Sequence, residues 1–278
     1  MKKWRFMHGE KEEKYSIHSL ISKSSNELLE EYNIDNYVLG LHNTHAFRLV
    51  AIHLLEDVST EKAILIHGTD GLGKSHLLQA AIKEIRREWS NKSVCYLNKE
   101  TLYTVLRYVN HVNRRDQADS VDVYQWLFHT YDTFVLEDVD YIINNHIGLQ
   151  HILYELLAYL QAHNEKVFIT ASVCLIETRR LTDYDLKMYF KNWTIEVQIN
   201  DLEYQDKMAY LELLDSNASN TDYKFTTEVL SYIALYHGKD YGSLRKAYYK
   251  ILTAYRLWHL NEEIELEAAI EILEGLLN

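Results

Sequence analysis

The chain has 278 residues, 47% of them apolar and 25% charged, which are proportions of a folded globular protein rather than a disordered or disulfide-stapled one. Its 29 Lys and Arg against 41 Asp and Glu leave a net charge of −12, which argues against a broad duplex-DNA surface, since neutralising phosphates takes clustered cations. No apolar run approaches the ~18 residues of a membrane span, and the basic start Met1–Met7 runs into Glu10, Glu12 and Glu13 without the apolar core of a signal peptide, so a cytoplasmic protein is expected.

Residues 1–30 are polar and lack periodicity, and read as a flexible or loosely helical leader. A loop over 33–43 enters a helix over 46–55. Ala63–His67 is a short apolar strand, 68–73 a loop, and 74–89 a helix with Leu77, Leu78, Ala81, Ile82, Ile85 and Trp89 on one face. A second strand at 93–97 is followed by helices near 99–112 and 119–130. The strand Thr133–Leu136 stops at Glu137-Asp138, an amphipathic helix covers 149–161, and strands follow at 166–170 and 194–199. Alternating strands and helices predict an α/β fold with a parallel five-stranded sheet flanked by helices. Beyond about residue 200 the pattern is helical only, at 204–215, 226–237, 242–258 and 266–277. In the third of these Leu244, Ala247, Tyr248, Ile251, Leu252, Tyr255 and Trp258 form one stripe. The expected organisation is a leader (1–30), an α/β domain (31–200) and a helical domain (201–278). Cys95 and Cys174 each lie in an apolar, strand-like run and are expected as reduced thiols.

Glycine is scarce, at 9 residues, yet three fall within Gly68-Thr69-Asp70-Gly71-Leu72-Gly73-Lys74-Ser75, a full G-x-x-x-x-G-K-[ST] match between a strand and a helix. Glycines let the backbone curl so that its N–H groups converge on phosphate oxygens, and the helix start adds its positive dipole end. Lys74 is expected to reach the β/γ-phosphates and Ser75 to ligate Mg²⁺. Asp70 would repel a triphosphate and is expected to point outward. A magnesium-dependent nucleotide site also needs an acid at the end of a neighbouring strand. Glu137 and Asp138 supply it, the first as a metal ligand and the second to orient water. The longer side chain at the metal position and the shorter at the water position imply slow hydrolysis.

These residues resemble the AAA+ module of bacterial DnaA-type initiators and of their shorter regulator relative, Hda, over about residues 30–278. Asp35-Asn36-Tyr37-Val38-Leu39-Gly40 with Asn43 is similar to that family's entry motif, which implies an adenine contact for Asn36, Tyr37, Val38 and Gly40. Gly71–Ser75 continuing into His76-Leu77-Leu78-Gln79-Ala80 resembles its phosphate loop and helix, so His76 joins the implied nucleotide contacts. Glu137-Asp138-Val139-Asp140 resembles its magnesium motif. Asp201-Leu202-Glu203 and Ile264-Glu265-Leu266 resemble the two ends of its helical lid.

The resemblance implies a P-loop AAA+ fold with a C-terminal helical lid, ATP or ADP with Mg²⁺ as ligands, and a regulator or assembly role in replication initiation. The implied partners are proteins of that machinery: an initiator, a helicase or a second copy of the chain. An active helicase-loading ATPase and a degenerate interaction module without catalysis stay open beside it. Several positions depart from the family pattern. Ser172, with Thr170 nearby, stands at the strand-four sensor. Met188 stands at the arginine-finger position, with Lys187 adjacent and Arg179 and Arg180 further back. Gly242 stands at the lid sensor, and Arg245, one turn later, is its candidate replacement.

The stretch from Asn261 carries six Glu and no Lys or Arg, so sequence-specific duplex reading by a following helix-turn-helix is not expected. The first Gln is Gln79, so the Gln-led sliding-clamp tether of the regulators is not expected either. Arg107, His111, Arg114 and Arg115 form the one local basic patch. It is read first as a solvated helix face, with at most a weak single-stranded DNA contact. His42, His45, His146 and His151 lack Cys partners at zinc spacing and are read as ordinary histidines.

Overall fold

The computed structural model describes residues 8–55, 62–88, 92–116, 120–218, 223–258 and 263–275. These divide into two compact units, one of Met1–Asp35, Ala46–Gly68 and Lys74–Gln198, the other of Asn36–His45, Thr69–Gly73 and Ile199–Asn278.

The first unit is the α/β layer. Its strands are β1 (Ala63–His67), β2 (Val94–Leu97), β3 (Thr133–Leu136), β4 (Lys166–Ala171) and β5 (Thr194–Gln198). They form one parallel sheet in the order β2-β3-β4-β1-β5. Parallel strands need crossovers, and helices supply them. The helices are α1 (His8–Asn26), α2 (Thr44–Leu55), α3 (Lys74–Glu88), α4 (Lys99–Asp116), α5 (Ser120–Phe128), α6 (Val139–Asn145), α7 (Gln150–Ala162) and α8 (Tyr184–Trp193). The apolar stripe of α3 is buried as its spacing requires, Leu77, Leu78, Ala81, Ile82 and Ile85 among it; Trp89 lies outside the described residues. β2 and β3 are buried along their whole length.

The described part of the leader is helical. Residues 8–26 are one regular helix, α1, and Ile17 and Ile21, one turn apart, are buried in the main core. Two apolar core residues among the described positions are a signal too sparse for a periodicity count. Residues 1–7 lie outside the described residues. β4 ends at Ala171, so the apolar run around Cys174 is not strand, and Cys174 sits half-buried in the turn that follows. Cys95 lies buried in β2, and both thiols are free.

The second unit is built on α9 (Tyr204–Asn217), α10 (Thr227–Tyr236), α11 (Tyr241–Trp258) and α12 (Leu266–Glu274). The stripe on α11 is buried from Leu244 to Tyr255, but Trp258 at its end is 44% exposed. Two short strands, β6 (Lys224–Phe225) and β7 (Glu263–Ile264), pair in parallel inside this helical region. Each leads straight into a helix cap, Thr226 for α10 and Glu265 for α12. Phe225 stacks on Tyr248 at 4.2 Å, and the Glu265 amide donates to the Tyr255 hydroxyl at 3.1 Å, so α11 holds both handovers.

Candidate nucleotide site

In the first unit β1 delivers Gly68 and α3 opens at Lys74. The Lys74 ammonium is buried and donates to the Gly68 carbonyl at 2.6 Å, closing the phosphate loop across its mouth. Ser75, half-buried on the next residue of α3, stands beside the Glu137 carboxylate at the end of β3. Glu137 is 7% exposed, and the Tyr96 hydroxyl donates to its Oε2 at 2.5 Å. Its Oε1 is buried and has no hydrogen-bond partner. Burial pushes the Glu137 carboxyl up from its ordinary range; the Tyr96 and Ser75 hydroxyls oppose that, while Asp138 and Glu100 add to it.

Asp138 follows in the left-handed region at φ 51° and caps α6 without a side-chain bond to it. Its amide donates to the Thr170 hydroxyl at 2.9 Å, and Thr170 is fully buried in β4. Ser172 is committed elsewhere: its amide donates to Asp140 Oδ1 at 3.2 Å and its hydroxyl to Asp140 Oδ2. Of the two strand-four candidates, Thr170 is therefore the one beside the acidic pair, because Ser172 lies past the strand end and is bound to Asp140. His76 is also spent, with Nε2 2.9 Å from the Asn33 carbonyl and its ring stacked on Tyr32 at 4.7 Å. Lys187 is exposed and Met188 half-buried on α8, and Arg179 and Arg180 are exposed in the preceding turn.

The second unit gathers Asn36–His45, Thr69–Gly73 and the helical region from Ile199. Tyr37 is buried, which raises its hydroxyl pKa against the opposing bond to Asn43. The Asn43 side chain accepts from the Gly40 amide at 3.0 Å and donates to the Val38 carbonyl at 2.9 Å, fixing the turn that carries Asn36, Tyr37, Val38 and Gly40. His42 is buried with Nδ1 3.0 Å from Asp206 Oδ1 and Nε2 3.0 Å from the Tyr241 hydroxyl, so both ring nitrogens face protein groups. Gly40 is required there: a Cβ would stand 1.9 Å from Asp206 Oδ1. Thr69 donates to Asp201 at 3.3 Å, Asp70 is exposed as expected from its charge, and Leu72 is buried. Gly71 has φ +83°, and its carbonyl accepts from the Tyr241 amide at 3.2 Å. Gly73 is flanked by the rings of Tyr37 and Tyr241. Arg245 is exposed on α11 with its guanidinium 5.8 Å from the ring centroid of Tyr249.

The donor set fits a hard divalent cation. Ser75 and Glu137 offer oxygens only, the ligand type magnesium takes, and the buried, unpartnered Oε1 is an oxygen that a cation or its water would satisfy. Sequence reasoning missed Tyr96 and Gln79, which back Glu137, and the His42–Asp206–Tyr241 set; no spacing distinguishes these residues from ordinary core and surface positions. Elsewhere His151 Nδ1 lies 3.3 Å from Asp183 Oδ2, an ion pair at the start of α8. The basic patch is exposed along α4, with Arg107 5.6 Å over the Tyr103 ring.

The bacterial DnaA ATPase domain model matches residues 28–192. The chromosomal replication initiator DnaA of Flavobacterium psychrophilum is 21% identical over 91% of this chain and 50% of its own length. The chain spans about half the length of the curated relatives it matches. Among solved structures, domain III of the Thermotoga maritima replication initiation protein DnaA matches with a TM-score of 0.74 at 18% identity, over 90% of this chain and 98% of that one. A replication initiator DnaA bound to AMPPCP and single-stranded DNA matches with a TM-score of 0.66 at 19% identity, over 84% of this chain and 70% of that one. The parallel sheet of β1 to β5 thus has the AAA+ form, and with the family model covering more than half of its residues the chain belongs to the bacterial DnaA ATPase domain family.

Proposed function

We propose that this chain binds ATP or ADP with Mg²⁺ and acts as a DnaA/Hda-like regulator or assembly factor in replication initiation, hydrolysing its nucleotide slowly. The observation that carries the reading is the convergence of Ser75 and Glu137 next to a closed phosphate loop, with Glu137 Oε1 buried and unpartnered. Lys74 would leave the Gly68 carbonyl for the phosphates, exchanging one charge-assisted bond for others. Ser75 and Glu137 would hold the cation, which supplies positive charge against the phosphate oxygens when bound. Asp138 and Thr170 are the groups that would orient water, with Ser172 placed to support Asp140. Asn36, Tyr37, Val38 and Gly40 would contact the adenine. Relatives named as replication initiators, and a fold neighbour described with AMPPCP and single-stranded DNA, support the nucleotide and the setting.

The partners proposed are proteins of the initiation machinery or a second copy of this chain, with the α4 residues Arg107, His111, Arg114 and Arg115 as the place of a weak single-stranded DNA contact. We further take 201–278 as the lid. A second, non-catalytic reading rests on Met188 at the finger position, Gly242 at the lid sensor and Ser172 at the strand-four sensor, since Lys187 lacks the planar fork of an arginine. Calorimetry with ATP and ADP, on protein first checked for carried-over nucleotide, is the test. Binding that Lys74→Ala abolishes is the expected result. A folded, emptied wild type that binds neither nucleotide overturns the nucleotide reading.

A further inference from the structure

Behind Glu137 lies a chain of buried polar groups whose direction is fully determined. The Leu29 amide donates to Gln79 Oε1 at 2.9 Å, Gln79 Nε2 donates to the Tyr96 hydroxyl at 2.9 Å, and that hydroxyl donates to Glu137 Oε2 at 2.5 Å. A backbone N–H can only donate, so the Gln79 carbonyl must face Leu29 and its amide must face Tyr96. Tyr96 has one proton, and with Gln79 donating to its oxygen that proton goes to Glu137. Oε2 is thereby fixed as an acceptor and the carboxylate cannot rotate without breaking a buried bond. Oε1 is left as the unpartnered end of a carboxylate that stands beside Ser75.

The far end of this chain is not an isolated contact. His76, Gln79, Lys83 and Arg86 lie three or four residues apart on α3, one helical face. All reach the segment before the entry motif: His76 the Asn33 carbonyl, Lys83 the Leu29 and Glu30 carbonyls, and Arg86 the Ser25 carbonyl. The Tyr96 amide itself donates to the Ser25 hydroxyl at 3.0 Å. The helix that begins with Lys74 and Ser75 thus spends one face on holding residues 25–33.

We propose that Tyr96 is a positioning residue for Glu137, and that Gln79 carries its constraint to the Leu29 backbone, so that magnesium–nucleotide affinity and the seating of residues 25–33 are linked. The linkage is reciprocal: whatever holds Glu137 in its ligating rotamer favours the seated segment, and a partner that lifts the segment loosens Glu137. The inference rests on Ser75 and Glu137 being the magnesium pair.

The test compares wild type with Tyr96→Phe, which keeps the ring and removes the donor, and with Gln79→Met, which opens the chain from the other side. Calorimetric affinity for ADP is measured in Mg²⁺ and in EDTA, and exchange of the Leu29 amide is followed by NMR in the full-length protein. Tyr96→Phe should lose ~10–100-fold of the magnesium-dependent gain, the range for groups that orient metal ligands, with affinity in EDTA unchanged. Both variants should speed Leu29 exchange, and the slowing of that exchange by magnesium–ADP in wild type should vanish. If Tyr96→Phe does not fold, Gln79→Met carries both readouts. A wild-type gain that the folded variants keep, or Leu29 exchange that they leave unchanged, overturns the relay alone. A wild type with no magnesium-dependent gain is the failure of the nucleotide-site reading and takes this inference with it.

Discussion

Gly71→Ala isolates what Gly71 requires of the start of α11. Gly71 has φ +83°, and a Cβ there would stand 2.8 Å from the Asp240 Cβ and 2.9 Å from its Cγ. Two costs follow: about 1–2 kcal/mol for a side chain in left-handed backbone, and about 1–3 kcal/mol for the overpacked contact. The Asp240 Cβ cannot swing away, because Asp240 Oδ1 accepts from the Ser243 amide at 2.7 Å and caps the start of α11. The sum, about 2–5 kcal/mol, corresponds to a fall in Tm of roughly 5–15 °C for the transition that includes this unit. Asp240→Gly alone should cost only about a few tenths of a kcal/mol, because glycine is itself well tolerated at a helix N-cap. In the double variant the alanine meets no Cβ, so only the backbone part of its cost remains, and the pair should be less damaging than the sum by about 1–3 kcal/mol. Urea denaturation of the four proteins reads this directly. Additivity within ~0.5 kcal/mol would refute the contact and leave backbone strain as the whole effect.

Exchanging the acidic pair, Glu137→Asp with Asp138→Glu, should raise turnover per bound nucleotide while weakening magnesium affinity, because the shorter residue 137 no longer reaches Tyr96. Phosphate release against magnesium concentration measures both, and an unchanged turnover number counts against the proposed cause of slow hydrolysis. His53 titrates lower in the fold than the usual 6.5, chiefly through burial and secondarily through Lys166. Its neutral form is the one the fold prefers, so the unfolded chain binds more protons, and this part of the stability is lost as pH falls through 6.5. His53→Gln should flatten the loss of Tm between about pH 7 and about pH 5, and parallel pH curves for the two proteins would contradict it.

The parts of the molecule legible in sequence are those where one physical requirement dominates. The strand Ala63–His67 ahead of a glycine-dense loop, and Thr133–Leu136 ending on two carboxylates, admit few other arrangements, and both strands sit where their patterns put them. The α3 stripe is likewise a direct consequence of 3.6-residue periodicity. What escaped depends on pairs distant in the chain. Among its described residues α1 puts only Ile17 and Ile21 into the main apolar core, and the parallel β6–β7 pair is too short to leave an alternating pattern. Ser172 and Thr170 are equally plausible by position; only the strand end and the Asp140 carboxylate separate them. Gln79 is an ordinary polar residue of a helix until Tyr96, 17 positions away, is set beside it.

The β6–β7 pair gives the helical unit a common origin for two of its helices. Because each strand passes directly into a cap, the rotational phase of α10 and α12 is counted from the same two rungs. One residue inserted between Ile264 and Leu266 would turn α12 by about 100°, moving Ala269 and Ile272 out of the core and bringing glutamates in. The phase of α10 and of α12 is thus set at the helix start, and natural length differences among relatives of this helical unit should avoid the two junctions at Thr226 and Glu265.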